Sequence, residues 1–132
     1  MEVIVKFTQQ YSEDAHQFCA NTGAAPKLLG FCTLAAGWYM AVMEYLGPEV
    51  YHILDIKDAS DASLVMGIQE VVKTLHSGGF VHGDIWPVNM MTCHVLNGPE
   101  DVQDVFLIDF DWAGLDGTVQ YPPNLNRETT VT

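Results

Sequence analysis

Basic side chains are scarce in this 132-residue chain: five Lys and Arg stand against 17 Asp and Glu, for a formal charge of -12. The only arginine is Arg127. Neutralising a nucleic-acid backbone takes clustered Lys and Arg, so nucleic acid is excluded as a partner, and an anionic membrane surface is disfavoured likewise. Cysteine is also sparse. Cys19, Cys32 and Cys93 are odd in number and form no C-x-x-C pair, which argues against a disulfide framework or a zinc knuckle. Long apolar runs are missing too. The longest uncharged stretch, Leu28 to Met43, contains Gly30 and Gly37 and is shorter than a membrane-spanning helix needs. The opening MEVIVKFTQQ carries Glu2 and Lys6 and lacks a signal-peptide layout. These absences predict a soluble, cytoplasmic protein with no membrane partner.

What is present suffices for one core. Apolar residues make up 48% of the chain and aromatics 11%, too many to leave in water as a disordered segment. The length favours a single domain. Val3, Ile4, Val5 and Phe7 surround Lys6 in a β-branched run that predicts a strand. Ser12 before Glu13 and Asp14 predicts a helix start, with a stop near Thr22-Gly23. Leu28–Leu34 and Trp38–Tyr45 read as an antiparallel hairpin, and Glu49–Leu54 as a short helix after Gly47-Pro48. Leu64, Ile68, Val71, Val72 and Leu75 recur at helical spacing after a cap at Ser60 or Asp61. A second hairpin is predicted for Met90–Leu96 and Val105–Ile108, with extended or irregular chain after Asp109. Strand, helix, hairpin, helices, loop and hairpin in this order indicate an α+β fold.

Chemistry concentrates in Val81-His82-Gly83-Asp84-Ile85-Trp86-Pro87-Val88-Asn89. A carboxylate and a carboxamide five apart on a Pro-containing loop can both point into one cleft. Leu107-Ile108-Asp109-Phe110 puts a second carboxylate at the end of an apolar strand. An anionic base, a neutral oxygen ligand and an anionic ligand suit magnesium beside a hydroxyl nucleophile. Taken singly, Asp84 could equally cap a turn and Asn89 bond to its own loop. His82 is expected to brace the loop, His16 to lie on a helix face, and Trp86 and Trp112 to fill the cleft walls. Asp111 reads either as a further metal ligand or as a solvated turn carboxylate.

Together, H-G-D-x-x-x-x-N and the I-D-F that follows a hairpin resemble the catalytic core of the protein-kinase-like superfamily. Gly83 stands where regulated protein kinases have arginine, a version similar to aminoglycoside and choline phosphotransferases. Leu107 to Gly114, LIDFDWAG, also resembles fungal kinase-like proteins with an HGD loop. The resemblance implies ATP and Mg2+ as cofactors, with Asp84 as the base that takes the acceptor proton. It implies Asn89 and Asp109 as metal ligands, and Lys6 as the strand lysine on the α- and β-phosphates. Asp14, or Glu13, would be the helix acid paired with Lys6. Glu44 and Leu46 would hold adenine through the backbone, with Met43 behind them.

The match begins at the lysine strand, and a complete domain of this family is about twice as long. The expectation is therefore one truncated domain over 1–132, with 1–46 a partial N-lobe and hinge and 47–132 a partial C-lobe. Uncovered lobe surfaces would favour self-association. The predicted activity is transfer of the ATP γ-phosphate to a hydroxyl acceptor, on protein Ser/Thr or a small molecule. The alternative is a noncatalytic, pseudokinase-like module that binds nucleotide or protein.

Overall fold

A computed structural model describes residues 2–47, 51–53, 62–94 and 103–117. The β-branched run forms β1 (Val3–Thr8), and helix α1 (Glu13–Asn21) follows. Ser12 caps α1, its Oγ accepting from the Ala15 N–H at 3.2 Å, while Glu13 and Asp14 occupy the positive end of the helix dipole. Next come β2 (Leu28–Thr33) and β3 (Tyr39–Glu44), the expected hairpin. The three strands make an antiparallel sheet in the order β1-β3-β2, with Lys6 opposite Ala41. β1 lies at one edge of this sheet, where Val5 and Phe7 are exposed.

The second half contains β4 (Tyr51–Ile53), α2 (Ala62–Ser77), β5 (Phe80–Val81), β6 (Met90–His94), β7 (Gln103–Leu107) and β8 (Gly114–Leu115). β4, β6 and β7 form an antiparallel sheet in that order, and β5 pairs with β8. The helix expected over 49–54 is corrected at 51–53, which pair as a strand, with Ile53 opposite Met91. The rest of that segment, the capping positions Ser60 and Asp61, and the chain after Gly117 lie outside the described residues. Gly114–Leu115 is extended, as expected after Asp109, and it pairs with Phe80–Val81.

One core joins the two halves. Ala15 and Cys19 of α1, Leu64 and Leu75 of α2, Val105 and Leu107 of β7, and Phe110 are buried together. Burial pushes the Cys19 thiol up to about 12, which leaves it protonated and unreactive. The Leu107 N–H donates to the Ala24 carbonyl at 2.8 Å, stitching β7 to the segment after α1. Among the described residues no helix is long and apolar enough to cross a membrane.

Candidate active site

The His82 loop is built around a buried imidazole. Its Nε2–H donates to the Ile108 carbonyl at 2.9 Å, and Nδ1 accepts from the Asp84 N–H at 3.3 Å. This pair of contacts requires the neutral ring, and burial lowers the His82 pKa. Asp84 is thereby tethered to the end of β7. Asn89 then closes the loop: its Nδ2 donates to the Asp84 carbonyl at 2.9 Å and to Asp84 Oδ2 at 3.0 Å. The Ile108 N–H donates to the Asn89 carbonyl at 2.9 Å, so both motifs form one hydrogen-bonded unit. With the Asn89 amide nitrogen engaged, its Oδ1 is the atom that can face a cation.

Asp109 follows with a left-handed backbone (φ 63°), a conformation Asp tolerates better than most side chains. Its Oδ1 accepts from Lys6 Nζ at 3.1 Å and from the Asp111 N–H at 3.3 Å. Lys6 Nζ also lies 2.7 Å from Asp111 Oδ1. Burial opposes the Lys6 charge, but Asp111 and Asp109 outweigh it and raise the ammonium pKa. Burial raises the Asp111 pKa, and the negative Asp109 nearby adds to this while Lys6 counteracts it. The ammonium sits 5.7 Å from the centroid of the Tyr11 ring.

Between these groups and the hinge lies a cleft of about 320 Å³. Ile4 and Lys6 contribute from β1, and Tyr11, Pro26 and Met43 line it further in. Glu44, Tyr45 and Leu46 border it at the hinge, and Asn89, Met91, Ile108 and Asp109 line it from the second half. An apolar cleft with a few polar groups at one end is the usual form of a small-molecule site. Glu44 Oε1 accepts from the Lys27 N–H at 2.8 Å, and the Glu44 N–H donates to the Lys27 carbonyl at 3.0 Å, which ties the end of β3 to the residue before β2. Among the described residues no group of three or more His, Cys, Asp or Glu could hold a metal alone. Asn89 Oδ1 and the Asp109 carboxylate, both on the cleft lining, are hard oxygen donors of the chemical type magnesium takes.

The structure thus brings Lys6, Met43, Glu44, Leu46, Asn89 and Asp109 to one cleft, with Asp84 bonded to Asn89 beside it. It does not bring Asp14. Glu13 and Asp14 are exposed, because α1 turns Ala15, His16 and Cys19 inward. The expected pairing of Lys6 with Asp14 or Glu13 is corrected to pairing with Asp109 and Asp111. Trp86 and Trp112 are not among the cleft-lining residues, contrary to expectation.

Sequence reading also missed His16. It is 1% exposed, its Nδ1 lies 2.6 Å from the Tyr11 hydroxyl, and its Nε2 lies 2.7 Å from the Pro26 carbonyl. Since a carbonyl can only accept, Nε2 carries the proton and Tyr11 O–H donates to Nδ1. The ring also stacks on Phe110 at 4.6 Å and 9°. The available signal was a histidine between Ala15 and Cys19 on the apolar side of a helix.

Buried neutral histidines make stability depend on pH. Burial lowers the His16 pKa, while the unfolded chain takes up its proton near pH 6.5. The unfolded state then binds more protons below that pH, and stability is lost as pH falls through 6.5 toward the folded value. The slope is up to about 1.4 kcal/mol per pH unit per histidine, and His82 acts in the same direction. Asp111, with its raised pKa, has the opposite sign and comes into play at lower pH. Thermal melts from pH 7.5 to 5.5 should show a falling midpoint, with a shallower fall in His16→Gln.

Comparison with known proteins agrees with this architecture. No protein-family profile matches the chain. A casein kinase 1-like protein, HD16, of Oryza sativa subsp. japonica is 36% identical over 81 residues, 58% of this chain and 11% of the rice protein. Among solved structures, WaaP in complex with acyl carrier protein superposes with a TM-score of 0.63 at 17% identity, over 86% of this chain and 54% of that one. The Cydia pomonella granulovirus kinase PK-1 superposes with a TM-score of 0.62 at 18% identity, over 88% of this chain and 44% of that one. The chain spans about half the length of these structures.

Proposed function

From a fold that is protein-kinase-like, we propose that the chain binds Mg-ATP in this cleft and transfers the γ-phosphoryl group to a hydroxyl acceptor. The observation that carries the reading is the ion pair of Lys6 with Asp109 across the cleft, beside the Asp84–Asn89 unit. ATP supplies the transferable phosphoryl group, and phosphoryl transfer asks of the protein chiefly positioning and charge stabilisation. Asp84 orients the acceptor hydroxyl and takes its proton. Asn89 Nδ2 fixes the Asp84 carboxylate, leaving Asn89 Oδ1 and an Asp109 oxygen for magnesium. Lys6 faces the α- and β-phosphates, while Glu44 and Leu46 offer backbone groups to adenine with Met43 behind them. The acceptor is a protein Ser/Thr or a small-molecule hydroxyl.

The test compares wild type, Asp84→Asn and Asp109→Ala by Mg-ATP thermal shift and phosphate transfer. Asp84→Asn should keep nucleotide binding and lose transfer by roughly 10²–10⁴-fold, the usual contribution of a positioned base. Asp109→Ala should lose the magnesium-dependent part of binding. Wild-type binding without any transfer would favour the second reading, a noncatalytic nucleotide-binding module. No magnesium-dependent ATP binding in wild type would overturn both.

A further inference from the structure

We propose that Asp111, rather than any carboxylate of α1, is the positioning residue that holds Lys6 in the cleft. The inference rests on the reading of the cleft as a nucleotide site and assigns a role to a side chain that stands where the usual D-F-G motif has glycine.

Lys6 Nζ lies 2.7 Å from Asp111 Oδ1 and 3.1 Å from Asp109 Oδ1, with the Lys6 and Asp111 side chains 29% and 26% exposed. Asp109 alone is a poor anchor. Its Oδ1 already accepts from the Asp111 N–H, and its carboxylate is the group offered to a cation. A lysine with no other partner would compete with that cation for the same oxygens. Asp111 removes the competition by giving the ammonium a carboxylate of its own, two residues along the same turn. Two adjacent carboxylates repel, and an ammonium between them offsets that repulsion.

The helix cannot supply this partner. Its two acids are exposed in the first turn, and its inward residues are Ala15, His16 and Cys19. What α1 supplies is His16, whose Nδ1 holds the Tyr11 hydroxyl and with it the ring beneath the Lys6 ammonium. The lysine therefore has an aromatic floor and a carboxylate stop. Both are fixed by the turn around Phe110, since the Phe110 ring also stacks on His16.

The experiment uses the full chain labelled with ¹⁵N-lysine and reads the Lys6 ammonium resonance, which is visible only when salt bridges slow its exchange; Lys6→Arg assigns it. The resonance should be present in wild type and in Glu13→Gln/Asp14→Asn, absent in Asp111→Asn, and at least partly restored in Asp111→Glu. Mg-ATP affinity should weaken about fivefold in Asp111→Asn, the scale of a part-exposed ion pair. Backbone spectra matching wild type establish that each variant is folded, and Asn keeps the shape of Asp while removing its charge. The proposal is overturned if the resonance survives Asp111→Asn, vanishes in the α1 double variant, or is absent from wild type. Should wild type fail to bind Mg-ATP, the proposed function falls, while the ammonium resonance still decides the role of Asp111.

Discussion

Phe110→Ala is expected to lower the unfolding free energy by about 3–5 kcal/mol, the largest single-residue effect expected among the described residues. Phe110 is 0% exposed and touches both halves of the fold. Its ring stacks on His16 and meets His82 edge-on at 5.1 Å and 65°, and Tyr11 at 6.4 Å and 63°. Truncation removes the transfer free energy of the ring and leaves a cavity lined by two neutral imidazoles. Aromatic pairing adds about 0.5–1.5 kcal/mol beyond area. For a domain with ~5–15 kcal/mol in total, the loss takes a large share. Urea titration followed by tryptophan fluorescence should show a lower midpoint with an unchanged slope. Phe110→Leu, which keeps most of the volume, should lose markedly less. A loss below 1 kcal/mol for the alanine variant would mean that the stack is not a structural centre.

Gly83→Ala should be nearly as damaging through a different cause. Gly83 has φ 84°, and an added Cβ would run into the Trp112 carbonyl oxygen and lie 3.1 Å from its carbon. The left-handed backbone costs about 1–2 kcal/mol for a residue with a side chain. Forcing the backbone of residue 112 away adds about 1–3 kcal/mol of overpacking. The expected total of ~2–5 kcal/mol corresponds to a melting shift on the order of 10 °C. Displacing Trp112 also shifts the adjoining Asp111 and Asp109 relative to Asp84, so the proposed phosphate transfer should fall more than stability alone explains. Thermal melts paired with activity at a temperature where the variant remains folded separate the two effects. The loop backs directly onto the chain that follows Asp109, which leaves no room for a side chain at position 83.

Much of this fold was legible because its signals are local. The β-branched run around Lys6, the Ser12 cap and the periodic apolar face from Leu64 to Leu75 each fit one kind of element. The two motifs also lie on the elements their spacing suggested. What escaped depended on distant partners. Residues 51–53 are too few for periodicity to separate strand from helix, and their partner strand lies some forty residues away. The role of Asp14 was misread because a helix acid next to a cap is already accounted for by the dipole, whatever lysine lies nearby. Asp111 read either as a further metal ligand or as a solvated turn carboxylate because its partner, Lys6, belongs to the first strand. His16 read only as a helix-face residue because its hydrogen bonds go to Tyr11 and Pro26, neither of which marks it in sequence.

The left-handed turn at Asp109 has a consequence for experiment. It sends one side chain to the wet cleft and the next into the dry interior: the Asp109 side chain is 35% exposed and Phe110 is fully buried. Chemistry and folding therefore meet at a single peptide bond. Alanine scanning through this turn will merge inactive with unfolded, and randomised libraries will read as intolerant here for two unrelated reasons. Lys6 on the cleft wall and its part-exposed partner Asp111 are where the site can be varied with the least cost to folding.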